Sequence, residues 1–392
     1  MTPARAVTDR LAQLTQTEAA DWFVVFKARY GMLEVFTALA GHTQRRSVVT
    51  QLLTCSTAVD PILVAGMSPV YAEVSPDSLS IDPGALAFGP DAAAVVIQHT
   101  FGIIDSAAAR SVATAARVAG AIVCEDSSHC VGRMAHGLDG LPLADVSFHS
   151  FGVEKMLPTK FGGAVWVNPA MEPLLRAAIV ARLQALAAPG PRLAFAARTY
   201  RYQLALLNRL PRGIGVPVRK GLVRAKIFEP AVAPSETEGR LAHSSVTASD
   251  WILSGVGIAL GALSASEELR ENASAAYVAE LGDRVQVPAG AKVGQPLVRF
   301  PFLVPDGVDP DAVIAGLRTT GVVAGLWYRP ALFPGAVSPA TYGYTPGDAA
   351  HAITEDVIAR IVNLPTAVDP ERARGIARQA LELIDSFRVA QI

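Results

Sequence analysis

The chain is poor in the residues that mark a secreted or metal-binding protein. Its 392 residues include only three cysteines, Cys55, Cys124 and Cys130. Their spacing contains no CxxC pair, and three cysteines do not make a disulfide framework. We therefore expect no metal site, and a reducing compartment as the simplest setting for these thiols.

Long apolar runs are also missing. The N-terminus has no apolar segment of the kind that signal peptides carry. The longest apolar stretch, from Trp251 to about Ala265, is shorter than the roughly 20 residues that a membrane-spanning helix needs. We expect a cytoplasmic protein with no membrane partner, and we interpret this stretch as a buried or interface helix.

The charge balance gives no indication of a polyanionic partner. Lys and Arg number 34 against 35 Asp and Glu, so the formal net charge is -1. A nucleic-acid partner is therefore not expected. Charged residues make up only 18% of the chain and hydrophobic residues 51%, which is typical of a chain that buries surface both in a core and between subunits.

Short apolar runs alternate with helical patterns in the first half of the chain. Helices are predicted at Asp60–Ala65 and Ser106–Val118. Short continuous apolar strands separated by helices indicate a parallel sheet covered on both faces, an α/β doubly wound arrangement whose ligands bind beyond the carboxyl ends of the strands. The predicted strands are Ser47–Leu53, Pro69–Val74, Ala94–Gln98, Ala121–Cys124, Val146–His149 and Ala164–Asn168.

The second half has a different organisation. From about Ala170 to Ser245 the pattern is less regular and more basic, and we expect helices there that cover the sheet or reach a partner subunit. Ser249 is an N-cap signal for a long helix. We place a large domain at residues 1–255 and a smaller α+β domain at residues 256–392. The elements predicted for the smaller domain are a strand at Leu297–Val304 and helices at Asp309–Thr319 and Glu371–Ser386.

Three polar features follow one another in a fixed order. Gly31 opens an apolar helix, Asp126 and His129 come directly after a strand, and Ser150 and Lys155 come after the next strand. Taken singly, each has an ordinary structural explanation, such as a turn, a helix cap or a solvated surface lysine. Their order, at the edge of the sheet where ligands bind, favours a shared site.

Each feature suits one part of pyridoxal phosphate (PLP). Helix N–H groups at Gly31, Met32 and Leu33 and the hydroxyl of Ser150 suit the phosphate. A carboxylate bonded to the pyridine nitrogen keeps it protonated, and a lysine near the aldehyde forms a Schiff base. Once a substrate amine displaces that lysine, its amine can move a proton at the substrate carbon.

Several separated motifs resemble one family. SFGVEKMLPTKFGG resembles the SFxxxK…GG motif of the DegT/DnrJ/StrS aminotransferases, and VCEDSSHCVG resembles their strand followed by EDAAQ or EDAAH. TQLLTCSTAVDPILVAG resembles their TPSxTFVATANAILYLG segment, and GLWYRPALF resembles GI…HYPxPLH. The resemblance extends from about Phe26 to Val368 and implies a fold-type-I PLP-transferase.

The resemblance assigns roles to particular residues. It implies that Lys155 carries PLP as a Schiff base, that Asp126 binds the pyridine nitrogen, and that His129 packs near the ring. It also implies that Ser150, with Gly162 and the glycine after it, belongs to the phosphate and lysine motif. The reaction implied is transfer of an amino group from an amino-acid donor, glutamate in the family, to a keto sugar, nucleotide sugar or related cyclic ketone, in a homodimer with shared active sites.

The chain departs from the family at three positions. Tyr30-Gly31-Met32 stands where many members have S-G-T, so a hydroxyl contact to phosphate is lost. Cys55 stands at the position of the aromatic residue that covers the cofactor ring. Ser245 aligns with the asparagine that a partner subunit supplies. Because these positions contact substrate and phosphate, the substrate need not be an ordinary nucleotide sugar.

Two alternative functions stay open. One is another PLP reaction at the substrate Cα, of dehydratase or lyase type, although family members that dehydrate sugars carry histidine in place of Lys155. The other is a non-catalytic PLP-fold sensor or scaffold. Among further polar residues, we interpret His99 as a packing residue, Arg329 as solvated, and Glu154 as pointing away from the site, since neighbours on an extended segment alternate sides.

Overall fold

A seven-stranded sheet forms the centre of the larger part of the molecule. The computed structural model describes residues 1–389, apart from the side chains of Arg212, Arg388 and Val389. Across the sheet the strand order is β1-β7-β6-β5-β4-β2-β3, in which the strands are β1 (Trp22–Val25), β2 (Ser47–Gln51), β3 (Ser68–Ala72), β4 (Ala92–Gln98), β5 (Ile122–Asp126), β6 (Val146–Ser150) and β7 (Gly163–Val167).

The five strands from β2 to β6 run parallel, whereas β7 pairs antiparallel with both β6 and β1. Every residue of β4 and β7 is buried, which is why these strands are continuous apolar runs in the sequence. The mostly parallel sheet confirms the predicted α/β fold class. The short strand β1, whose two central residues are only partly buried, was not predicted.

Helices cover the sheet on both faces. They are α1 (Pro3–Thr15), α2 (Ala28–His42), α3 (Ser56–Val64), α4 (Ser106–Val118), α5 (Pro173–Gln184), α6 (Pro191–Arg209), α7 (Arg212–Arg224) and α8 (Asp250–Gly261). The helix α3 begins a turn earlier than predicted. Asp60, the first residue of the predicted helix, is buried inside α3 and accepts a hydrogen bond from the Tyr342 hydroxyl at 2.7 Å.

The C-terminal part is a two-stranded antiparallel sheet packed with helices. Its elements are α9 (Leu263–Leu281), β8 (Arg299–Leu303), α10 (Pro310–Thr319), α11 (Ala352–Arg360), β9 (Ile361–Pro365) and α12 (Pro370–Val389). These match the predicted α+β character of the second part.

The long helix predicted from Ser249 is two helices. The Ser249 hydroxyl caps α8 by accepting the N–H of Ile252 at 3.4 Å, and α8 and α9 meet at an angle of 56°. The domain boundary predicted at residue 255 falls within α8, and the division into two domains stays a prediction. In the described part of the chain no single helix is long and apolar enough to cross a membrane, and the bent α8–α9 pair meets the requirement by length and composition only.

Candidate active site

A cavity of about 270 Å³ lies at the carboxyl ends of β5 and β6, near the lower end of the range of roughly 300–1,000 Å³ for small-molecule sites. Asp126 is the last residue of β5 and Ser150 the last of β6, and both line the cavity with His129 and Lys155. The residues singled out after two strands of the sequence thus meet at one edge of the sheet.

The centre of the cavity is a contact between a lysine and a histidine. Nζ of Lys155 lies 2.9 Å from Nε2 of His129, and the Tyr328 hydroxyl lies 2.9 Å from the same nitrogen. On the other side of the imidazole ring, Nδ1 accepts the N–H of Phe101 at 2.9 Å. A neutral His129 ring therefore carries its proton on Nε2, facing Lys155 and Tyr328.

Burial favours the uncharged forms of both partners. It lowers the pKa of His129 well below the usual range, and the nearby Lys155 amine acts in the same direction. Burial also lowers the pKa of the Lys155 amine. An ammonium group has no acceptor, so the Nε2–H of His129 can donate to Lys155 only when that amine is neutral. The geometry and the burial both favour a nucleophilic amine.

An indole ring forms one wall beside this pair. The Trp327 ring stacks on the His129 ring with centroids 4.9 Å apart and an interplanar angle of 5°. Nζ of Lys155 lies 4.8 Å from the same indole centroid. Aromatic surface excludes water from the amine, which maintains the low dielectric that lowers its pKa.

Asp126 and its neighbour Glu125 occupy different environments. Asp126 lines the cavity, and its Oδ1 accepts the N–H of Ser128 at 2.9 Å. Glu125 lies in a buried cluster instead, where its Oε1 is 2.5 Å from Nε2 of His99 and accepts the N–H of Ala135 at 2.6 Å. Because strand neighbours point to opposite faces, one carboxylate serves the cavity and the other the interior.

The glycine pair after Lys155 lets a helix approach the sheet closely. A Cβ atom on Gly163 would lie 2.7 Å from the backbone nitrogen of Ala28 and 2.9 Å from its Cα. Gly162 has a φ of +106° and donates its N–H to the carbonyl of Phe26. The pair holds the N-terminus of α2 at the cavity, where free N–H groups suit an anion.

That N-terminus lies three residues before the predicted one. The first residues of α2 are Ala28 and Arg29, both of which line the cavity, whereas Gly31 lies on the sheet side, with Val165 2.4 Å from where its Cβ would be. N–H groups beyond the first turn bond within the helix. This corrects the expectation that Gly31 faces the phosphate. Met32, which follows Gly31 on α2, does line the cavity as predicted.

Two cations border the same helix end. Lys27 forms an ion pair with Glu229, and Arg29 pairs with Glu236 at 2.5 Å and donates to the carbonyl of Ala231 at 3.0 Å. All four charged groups are buried or nearly so. The two ion pairs hold residues 229–236 against the N-terminal end of α2. The sequence patterns did not predict these ion pairs.

Of two further residues predicted to contact the cofactor, Cys55 lines the cavity and Ser245 does not. Cys55 lines the cavity as the N-cap residue of α3. Ser245 does not line the cavity of its own chain, and its hydroxyl lies 3.5 Å from the carbonyl oxygen of Tyr30. Its suggested role across a subunit boundary stays a prediction.

Of the three residues that were interpreted as lying outside the site, two do lie outside the cavity and one lines it. His99 is buried against Glu125, and neither His99 nor Arg329 lines the cavity. Arg329 is not solvated as expected, because its side chain is only 14% exposed and pairs with Asp311 at 2.6 Å. Glu154 does line it, contrary to expectation, because its φ of +59° breaks the alternation of an extended segment.

Sequence reasoning missed Trp327, Tyr328 and Arg29. The first two lie in GLWYRPALF, a motif that the sequence matched to the family without assigning roles to its aromatic residues. Arg29 carries no pattern of its own, since only its ion pair with Glu236, 207 residues away, shows that it is fixed at the cavity.

A half-buried lysine amine, a carboxylate, an imidazole and the N-terminus of α2 surround one small cavity, an arrangement that suits an anionic carbonyl compound. The sequence model of the DegT/DnrJ/EryC1/StrS aminotransferase family matches residues 30–187, the segment that contains Asp126, His129, Ser150 and Lys155. Over this segment, which is less than half of the chain, the sequence is similar to that family of aminotransferases. No curated protein matches the chain significantly.

Solved structures share the fold at low sequence identity. DesI, solved in the presence of its TDP-sugar product, is 22% identical over 99% of this chain and 86% of its own, with a TM-score of 0.69. Helicobacter pylori PseC, an aminotransferase involved in the biosynthesis of pseudoaminic acid, is 17% identical over 98% and 92%, with a TM-score of 0.68. Bacillus subtilis NtdA, solved with bound cofactor PMP, is 14% identical over 96% and 77%, with a TM-score of 0.66. These likenesses confirm the fold-type-I architecture.

Aminotransferases of this family depend on PLP, and the residues present fit that group. Gly163 packs against the backbone of Ala28, which a Cβ atom would prevent, and the first residues of α2, Ala28 and Arg29, line the cavity. The donor set supplies an amine for an aldehyde, a carboxylate for a pyridinium, and N–H and hydroxyl groups for a phosphate. Lys155, Asp126, Ala28, Arg29 and Ser150 are the residues that would hold it.

Proposed function

We propose that the chain moves an amino group from an amino acid, with glutamate as the donor, to a keto sugar, nucleotide-linked keto sugar or related cyclic ketone, using PLP held by Lys155. The observation that carries this proposal is the contact between the Lys155 amine and His129 in the cavity that Asp126 also lines. A cytoplasmic homodimer with shared sites is part of the same proposal.

The side chains divide the work in this proposal. PLP, when bound, supplies the aldehyde with which amines condense and the ring that accepts electrons. Asp126 keeps a positive charge on the ring nitrogen, because two opposite charges in contact favour both ionised forms. The Lys155 amine, freed by the incoming donor, moves the proton at the substrate carbon, and His129 holds that amine in position.

The choice of a sugar-like acceptor is supported by two structural neighbours, DesI with its TDP-sugar product and PseC of pseudoaminic acid biosynthesis. The cavity itself is small, and its lining combines the apolar side chains of Trp327, Phe333 and Val232 with polar groups. Such a lining suits a compact ring with a carbonyl directed toward Lys155.

The test separates the proposal from the other PLP reactions. The purified protein is loaded with PLP, freed of excess, and given glutamate, while pyridoxamine phosphate and 2-oxoglutarate are measured by mass spectrometry. Equal amounts of the two products, absent from Lys155→Ala, are expected. A panel of nucleotide-linked and free cyclic ketones then identifies the acceptor. Turnover of a substrate without pyridoxamine phosphate would contradict transamination, and so would a protein that binds no PLP.

A further inference from the structure

Positive charge is concentrated in one segment of the chain. No Asp or Glu occurs between Glu172 and Glu229, and residues 188–228 carry nine Lys and Arg residues. Since the whole chain has a net charge of -1, the rest of it carries -10. The segment folds as α6 and α7, which pack against each other and, through α6, against α8. We call residues 188–228 the basic hairpin.

The cations of the basic hairpin are not neutralised by the fold. Among its described side chains, none forms a salt bridge with a carboxylate. Arg201 donates to the carbonyl of Pro158, and Arg219 lies over the ring of Phe228. In contrast, the nearby Arg176 and Arg182 pair with Asp21 and Glu34. The hairpin therefore presents an uncompensated positive surface.

Large apolar side chains lie among these cations on the outer face. Phe195, Tyr202 and Leu206 of α6 are 52%, 80% and 62% exposed. Their spacing of seven and four residues puts them on one side of the helix, opposite the buried Ala197 and Leu207. One face of α6 is therefore buried against the protein, and the opposite face carries a second row of apolar side chains that is exposed to solvent.

The helix α7 adds to this surface. Ile214 and Val218, four residues apart, are 56% and 41% exposed, and no residue described in α7 other than Gly215 is buried. Lys220 and Arg224 follow on the same helix. A helix that exposes aliphatic groups and cations together, with no acidic residue, has the composition of an interfacial membrane-binding helix.

From these observations the structure assigns the basic hairpin as a docking surface for a bilayer of anionic lipids, in contrast to the expectation from the sequence that the protein has no membrane partner. The headgroup layer provides negative charge for the cations, and the boundary with the acyl chains accepts Phe195, Leu206 and Ile214. A nucleic acid would match the charge but would leave the aliphatic side chains in water. A two-fold contact between hairpins of two copies would bring like charges together. The assignment does not rest on the proposed reaction.

Vesicle sedimentation tests the assignment on the full chain. Vesicles of phosphatidylcholine mixed with phosphatidylglycerol should pellet the protein, vesicles of phosphatidylcholine alone should not, and added salt should weaken the binding. Replacing Arg198, Arg209 and Lys220 with Gln should lower the partition coefficient about tenfold or more. The matched control replaces Lys292, Arg372 and Arg374, three exposed cations outside the hairpin, with Gln and should bind like the parent.

A second variant separates lipid from a generic polyanion. Replacing Phe195, Tyr202 and Leu206 with Ser should weaken vesicle binding and leave binding to a DNA duplex unchanged, with folding checked by circular dichroism. Equal pelleting with both kinds of vesicle, or equal loss in the hairpin and control variants, would overturn the assignment. No pelleting, together with a changed oligomeric state of the hairpin variants in analytical ultracentrifugation, would overturn it in favour of a second copy of the chain.

Discussion

Nζ of Lys155 and Nε2 of His129 lie 2.9 Å apart, and the Tyr328 hydroxyl shares the same ring nitrogen at 2.9 Å. Burial lowers the pKa of both Lys155 and His129. The pair therefore meets as an amine and a neutral imidazole. The ring is held by the backbone N–H of Phe101 on Nδ1 and by stacking on Trp327, and the Tyr328 hydroxyl adds a contact at the nitrogen that faces Lys155.

Removing that hydroxyl should slow catalysis more than it weakens the fold. For Tyr328→Phe we expect a loss of about 1 kcal/mol in unfolding free energy, the usual value for one hydrogen bond. The single-turnover conversion with glutamate should slow about tenfold, because a loosened imidazole no longer holds the amine in a reactive position. Tyr344→Phe, which removes a hydroxyl bonded to Glu355 away from the cavity, is the matched control. Equal rates in the two variants would contradict the role of Tyr328.

Substitutions at Asp126 and Glu125, neighbours on β5, should have different effects, one on activity and the other on stability. Asp126→Asn keeps an oxygen for the N–H of Ser128 but loses the negative charge, so activity should fall at least about a hundredfold with little change in stability. Glu125→Gln removes the carboxylate that contacts His99 and accepts the N–H of Ala135, and the unfolding free energy should fall by about 2 kcal/mol or more. Urea unfolding and steady-state kinetics on both variants provide the comparison. A stable, inactive Glu125→Gln or an unstable Asp126→Asn would reverse the assignment.

Gly163→Ala tests the close approach of α2 to the sheet. The new methyl group would meet the backbone of Ala28, which cannot move away as a flexible side chain could. We expect a loss of about 1–3 kcal/mol from overpacking, and weaker PLP binding in a fluorescence titration because the first turn of α2 is displaced. Gly190→Ala, where nothing lies within 4 Å of the added atom, is the control. Unchanged PLP affinity in Gly163→Ala would show that this helix end does not contribute.

A buried carboxyl on α3, that of Asp60, gives a pH dependence of stability. Burial raises the pKa of Asp60 to about 8, and the nearby Glu236 adds to the effect. The folded protein keeps this proton up to about pH 8, whereas the unfolded chain releases it near pH 4. The stability linked to this proton is therefore complete below about pH 4 and is lost as the pH rises through 8.

Asp60→Asn should remove that dependence, because an amide keeps an acceptor for the Tyr342 hydroxyl and does not ionise. Its unfolding free energy relative to the parent should increase between about pH 4 and pH 8, measured by urea unfolding at several pH values. Asp283→Asn changes an exposed carboxylate and should run parallel to the parent. A constant difference between Asp60→Asn and the parent would show that Asp60 does not titrate in this range.

The sheet was predictable from the sequence because buried parallel strands such as β4 are uninterrupted apolar runs. Asp126 and Ser150 could be placed at one edge because the carboxyl ends of neighbouring parallel strands meet there. The start of α2 could not, since Gly31 resembles a helix-start signal and its actual role, contact with Val165, depends on packing. Tyr328 contacts His129, and Arg29 contacts Glu236, across sequence separations of 199 and 207 residues. No local sequence pattern can indicate contacts between residues so far apart in the chain.

The identity of the lysine that binds the cofactor tests the account most directly, because Lys27 and Lys160 also line the cavity. The protein loaded with PLP is reduced with borohydride, digested and examined by peptide mass spectrometry, with Lys155→Arg treated in the same way. We predict a phosphopyridoxyl group on Lys155 alone, and none in the variant. Modification of Lys27 or Lys160, or an unmodified protein, would contradict the account.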